Sequence, residues 1–131
     1  MCKYALSDGK RVRTILMKQI NPDINLDNLL IIEYLHASSL ILDDIMDNDT
    51  TRRDKECVHI KYGLPMGLMT SVYLVTLALS KANITDKDEI VKTFNELCLG
   101  QFMDIDKKYY DVTILYNNDT KNIIDKIKKM L

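Results

Sequence analysis

Proline and glycine are scarce, two and four in 131 residues, so the chain has few places to break a helix. With only two histidines there is no zinc pattern, and Cys57-Val58-His59 has no second ligand pair nearby. The three cysteines, Cys2, Cys57 and Cys98, are odd in number and far apart. That excludes a disulfide framework and suits a reducing, cytoplasmic compartment. An excess of charge of either sign is missing too. Lys+Arg 18 against Asp+Glu 19 leave a net charge of -1, without the basic footprint of a nucleic-acid binder or a membrane-surface protein. The opening MCKYALSDGKRVR lacks the apolar stretch of a secretory signal. At 47% hydrophobic and 28% charged, the chain should fold around a core, as one domain or part of a larger one.

Apolar periodicity is helical almost throughout, and no strand is expected. A first helix is predicted over 9–20, followed by a turn at Asn21-Pro22-Asp23. Asn25 can cap a long second helix, Leu26–Asp47, with Asp27 well placed near its N-terminus. A polar connection over 48–55 leads to a short helix. Between Lys61 and Lys81 no residue is charged, close to the ~20 residues of a membrane span. Gly63, Pro65, Gly67, Thr70, Ser71, Thr76 and Ser80 dilute that stretch, so it reads as a buried core helix of a soluble protein. Thr85-Asp86-Lys87-Asp88 reads as a capping box opening a helix to about residue 110. After Asn117-Asn118-Asp119 an amphipathic tail covers 120–131. The fold class is all-α.

The second helix ends in Asp43, Asp44, Asp47 and Asp49. A helix C-terminus already carries about half a negative charge, so acids there cost roughly 0.3–1 kcal/mol each. Either this is a solvated acidic loop or a cation offsets the charge, with Mg²⁺ the natural hard ion for oxygen ligands. His36, Leu40, Asp43 and Asp47 follow at intervals of four, three and four residues and form one narrow stripe. An EF-hand starting at Asp47 fails, because Arg52 stands where glycine is needed and Val58 where a bidentate Glu belongs. Arg52 and Arg53 come next; they either neutralise the acids or grip a polyphosphate together with a metal. A second basic group, Gly9-Lys10-Arg11-Val12-Arg13, lies at the start of the first helix, where backbone N–H groups favour anions. Two basic clusters flanking an acidic motif suggest a site for two diphosphates, one of them metal-bound.

In this order the motifs resemble the trans-isoprenyl diphosphate synthase (polyprenyl synthetase) family, most closely its geranylgeranyl-forming members. Asp43-Asp44-Ile45-Met46-Asp47 is similar to the first aspartate-rich motif, DDxxD, and Arg52-Arg53 to the arginine pair after it. Lys10 and Arg13 fit the GK-x-x-R element; Glu33 to Leu40, His59 to Gly63 and Gly100-Gln101-Phe102-Met103-Asp104 also look like family sequence. The resemblance implies an isoprenoid-synthase-like antiparallel helical bundle around a deep cavity, here truncated to roughly its first half, and usually a homo-oligomer. It implies Mg²⁺ on Asp43 and Asp47 with Asp44 in support. Arg52 and Gln101 would meet the allylic diphosphate, and Lys10, Arg13, His36 and Arg53 the isopentenyl diphosphate. The chemistry would be metal-assisted ionisation followed by alkylation of the isopentenyl double bond. Ser38 and Ser39 occupy positions that in the family set pocket depth, and their small size implies a long product such as geranylgeranyl.

Some family features have no counterpart. There is no second aspartate-rich motif, Asp54 replaces the usual glycine after the arginines, and Ser71-Val72-Tyr73 departs from the family pattern. Half a helical cavity should expose apolar faces that invite self-association or a complementing synthase chain. Alongside a prenyltransferase therefore stand two alternatives, a non-catalytic regulatory or binding subunit of a prenyl synthase and a gene remnant.

Overall fold

The computed structural model describes residues 1–7 and 9–109, the last four of these by backbone alone; the predicted break at 117–119 and the tail at 120–131 lie outside them. The elements are α1 (Cys2–Leu6), α2 (Val12–Ile20), α3 (Leu26–Asp47), β1 (Thr51–Arg52), β2 (Lys55–Glu56), α4 (Val58–Tyr62), α5 (Leu64–Lys81) and α6 (Ile84–Tyr109). The fold is all-α apart from one small hairpin. Two compact units divide at residue 87, so α6 begins in the first and continues into the second.

The long helix is the predicted one. The Asn25 side chain accepts from Asn28 N–H at 2.8 Å, Asp27 sits in the first turn, and Asn48 closes the helix in the left-handed conformation at φ 57°. Elsewhere the boundaries move. The helix expected over 9–20 starts only at Val12, because Arg11 takes φ 51° and serves as its N-cap. The five-residue α1 before it was not foreseen. The cap of α6 is Asn83, whose side chain accepts from Asp86 N–H at 2.8 Å, rather than Thr85.

The absence of strands is corrected by the β1–β2 hairpin, paired Thr51 with Glu56 and Arg52 with Lys55. Its two-residue loop, Arg53-Asp54, has φ 53° and 63°. Positive φ at both central residues is the turn that matches strand twist, and Asp tolerates it better than most side chains. Strands of two residues are too short to show a period of two.

The core lies between α3 and α5. Ala37, Ile41, Val58 and Leu74 form its centre, with Leu74 fully buried. On α5 the buried residues are Gly67, Thr70, Ser71, Leu74 and Ala78, at helical spacing along one face. Ser38 and Ser71 join the two helices by reciprocal bonds: their hydroxyls lie 2.8 Å apart, Ser38 also reaches the Ser71 carbonyl at 3.0 Å, and Ser71 reaches the Ser38 carbonyl at 3.2 Å. The uncharged segment is therefore not a fully buried helix, because Leu68, Met69, Val72 and Tyr73 are exposed. Among the described residues, α5 is the one helix long and apolar enough to cross a membrane by length and composition.

Gly67 is fixed by contact. A Cβ there would fall 2.9 Å from the His59 Cβ and 3.3 Å from its Cα, so α4 would have to move. Overpacking of this kind costs roughly 1–3 kcal/mol, against a helix-propensity gain of up to about 1. Gly67→Ala should thus destabilise by about 1 kcal/mol in urea unfolding, opposite in sign to the same change on an open helix surface.

Candidate diphosphate site

Two basic segments converge on α3 within the first unit. From α2, Arg13 Nη1 lies 3.0 Å from His36 Nε2. Arginine has no acceptor, so His36 Nε2 accepts and its proton sits on Nδ1. The imidazole is kept neutral, its pKa lowered from 6.5 by burial first and by the Arg13 charge second, with Glu33 opposing and Arg53 and Arg52 adding to the lowering.

One turn earlier on α3, Glu33 binds the start of α2. It pairs with Arg11 and accepts from the Thr14 hydroxyl, and Arg11 also donates to the Leu6 carbonyl. Burial alone would raise the Glu33 pKa, but the bonds from Thr14 and Arg11 and the Arg11 charge together lower it below 4.5. Neither Glu33 nor Arg11 was assigned a role from sequence. Their pairing spans 22 positions, and nothing in local spacing signals it.

The second basic segment is the hairpin. It turns Arg52 back onto the helix that precedes it, with Nε and Nη2 each 2.7 Å from Asp44 Oδ1. Asp44 is buried, and this charge-assisted bond is the first cause of the raised Arg52 pKa. Cys57, also buried, lies beside Asp44, and its thiol is pushed up to about 11, by burial first and Asp44 second. The cation called for at this helix C-terminus is thus partly supplied from within the chain. A cavity of about 80 Å³ lies here, lined by His36, Asp44, Arg52 and Arg53 together with Tyr4 and Leu6 of α1. At about 15 Å³ per water it has room for several.

The remaining candidates are placed as follows. Asp43 is half-buried and Asp47 exposed, one turn apart on α3. Lys10 is exposed ahead of α2, Ser38 is sealed in the α3–α5 seam, and Ser39 is half-buried with its hydroxyl on the His36 carbonyl at 2.8 Å. Gln101 and Asp104 lie on α6 in the second unit. No group of three or more His, Cys, Asp or Glu poised for a metal occurs among the described residues. Two carboxylates one turn apart nevertheless fit a Mg²⁺ that takes its other ligands from phosphate and water, which is how that ion usually binds.

The neutral His36 sets an acid response. Its folded pKa lies below the unfolded value, so the unfolded chain binds more protons between the two and stability rises with pH there. That contribution is whole above about pH 6.5 and is lost as pH falls through the lowered folded value. Glu33, lowered from 4.5, acts with the same sign in a more acidic window. His36→Gln keeps an acceptor for Arg13 but does not titrate. Urea melts stepped down from neutral pH should therefore show a smaller loss of stability just below pH 6.5 in this variant than in the parent.

Residues 1–128 match the polyprenyl synthetase family model. The chain is 34% identical over 120 residues to the short chain isoprenyl diphosphate synthase of Methanocaldococcus jannaschii, covering 81% of this chain and 37% of that protein. It is 38% identical over 105 residues to the mitochondrial geranylgeranyl pyrophosphate synthase 10 of Arabidopsis thaliana, covering 70% and 30%. With a trans-prenyltransferase of African swine fever virus the identity is 34% over 86 residues, covering 56% and 27%. The chain spans about a third of the length of these relatives. A family match running through 128 of 131 residues, on an all-α fold, leads to one conclusion: the chain belongs to the polyprenyl synthetase family.

Proposed function

We propose that this chain is the first part of a prenyltransferase that joins isopentenyl diphosphate to an allylic diphosphate, farnesyl diphosphate by its resemblance to the geranylgeranyl-forming members. The observation that carries the reading is the meeting of two basic segments on α3, with Arg13 on His36 and Arg52 on Asp44, around a cavity that Arg53 also lines. Arg52, oriented by Asp44, would hold the allylic diphosphate. Lys10, Arg13, His36 and Arg53 would hold the isopentenyl diphosphate. Asp43 and Asp47 would hold Mg²⁺, which when bound supplies positive charge to the departing diphosphate. The guanidinium groups add to that stabilisation as charge develops on the leaving group. The allylic cation then alkylates the isopentenyl double bond, and proton loss gives a product longer by one isoprene unit. We also propose a cytoplasmic location, from three cysteines that make no disulfide framework, and a homo-oligomer or a pairing with a synthase chain.

The test is turnover of isopentenyl and farnesyl diphosphates with Mg²⁺, by the chain alone and with the C-terminal part of a homologous synthase. A longer prenyl product that disappears with Asp43→Ala is expected. No product under either condition would overturn the enzyme reading. A regulatory subunit is the second reading, favoured by the exposed Leu68, Met69, Val72 and Tyr73 on α5. It requires association with a complete synthase and a changed product length.

A further inference from the structure

The arginine hairpin carries too little structure of its own to hold a guanidinium in place. It has two residues per strand and a loop with both φ values positive. A two-stranded hairpin alone is marginal in water. Its outer strand is gripped by α1. The Tyr4 hydroxyl donates to the Glu56 carbonyl at 2.8 Å, and Lys55 Nζ lies 5.7 Å from the centre of the Tyr4 ring. Glu56 and Lys55 are the cross-strand partners of Thr51 and Arg52. Tyr4 is itself held from behind: its ring stands edge-on to Tyr62 with centroids 5.6 Å apart, Lys61 Nζ lies 4.1 Å from its centre, and it packs against the Ala37–Ile41–Val58–Leu74 cluster. It also lines the cavity beside Arg52 and Arg53.

We propose that Tyr4 is a positioning residue for the diphosphate-binding arginines, holding β2 through Glu56 and Lys55 so that β1 presents Arg52 to Asp44 and to ligand. The ligand part rests on the function proposed above; the positioning part does not. The chain from cause to effect is short. Tyr4 fixes β2, the register of β2 fixes β1, and β1 sets the angle at which the Arg52 guanidinium leaves the backbone.

Tyr4→Phe tests this, since it keeps the ring and its packing and removes only the hydroxyl. The first readout is hydrogen exchange at Arg52 Nε–H, followed by NMR on the full chain without ligand. Tyr4→Phe should speed that exchange several-fold while leaving exchange in the α3–α5 core unchanged. The second is titration with inorganic diphosphate in Mg²⁺, where the apparent affinity should fall about fivefold. Equal Arg52 Nε–H exchange in both proteins would overturn the positioning role. Faster exchange with unaltered diphosphate affinity would keep the positioning role and overturn its link to ligand. A parent chain that binds no diphosphate at all counts against the proposed function, and the exchange comparison still decides the role of Tyr4.

Discussion

Replacing Arg52 with methionine is expected to cost about 3 kcal/mol of stability, more than any conservative change at Asp44. The Asp44 side chain has 6% of its surface in water, and that of Arg52 34%. Removing one member of a buried pair costs roughly 3–5 kcal/mol because the other is left as an uncompensated charge. Here the penalty depends on which member is left. Without Arg52, the buried carboxylate is left charged beside the Cys57 thiol. Without the carboxylate charge, as in Asp44→Asn, an arginine side chain one-third exposed can turn to solvent, and the loss should be about 1–2 kcal/mol. Adding Asp44→Leu to Arg52→Met should recover much of the loss, since a carboxylate is no longer buried alone. Urea unfolding of the three variants measures this. Equal costs for Arg52→Met and Asp44→Asn would mean that Asp44 is not shielded by the hairpin.

The second large effect separates two neighbouring serines. Sequence resemblance treats Ser38 and Ser39 alike, as positions where an aromatic would shorten the product. The structure does not. Ser38 is 0% exposed and bonded to Ser71 across the seam between α3 and α5. A phenylalanine there must separate the two helices that make the core. Overpacking costs roughly 1–3 kcal/mol or more, and losing the two bonds of the Ser38 hydroxyl to Ser71 adds about 1. Ser38→Phe should therefore lose about 3 kcal/mol or more and expose the core to hydrophobic dyes. Ser39 is half-buried and bonds only within its own helix, so Ser39→Phe should stay within about 1 kcal/mol of the parent. Equal melting temperatures for the two variants would contradict the buried serine seam.

The parts of the molecule that could be read from sequence are those governed by local chemistry. The α3 helix shows its cap at Asn25, its acid in the first turn, and a long apolar period, and it forms as read. Pro65 in the first turn of α5 is likewise a local signal. What could not be read depends on distant partners. The α1 helix has five residues, too few for a periodic stripe, and it is held by Glu56, Tyr62 and the core cluster. The hairpin was hidden because its turn uses Arg53-Asp54 where asparagine–glycine or aspartate–glycine would announce it. At the site, the acidic stripe and the arginines were visible as residues, while the pairing of Asp44 with Arg52 was not. Asp44 lies about 100° around the helix from Asp43, so it faces inward while Asp43 and Asp47 stay near solvent. The three aspartates of the motif thus divide: Asp44 is buried on Arg52, while Asp43 is half-buried and Asp47 exposed.

Thermal unfolding of the full chain with Mg²⁺ and inorganic diphosphate, each alone and together, addresses that division directly. A ligand that binds only the folded state raises its stability by mass action. The melting temperature should rise by several degrees with both present and hardly at all with either one. In Asp43→Asn with Asp47→Asn, the rise should vanish. Stability without ligand should change little, because the relief of two charges at a helix C-terminus is offset by the lost attraction of Asp43 for Arg52. A rise that persists in the double variant, or that appears with diphosphate alone, would show that Asp43 and Asp47 do not hold the metal through which diphosphate binds.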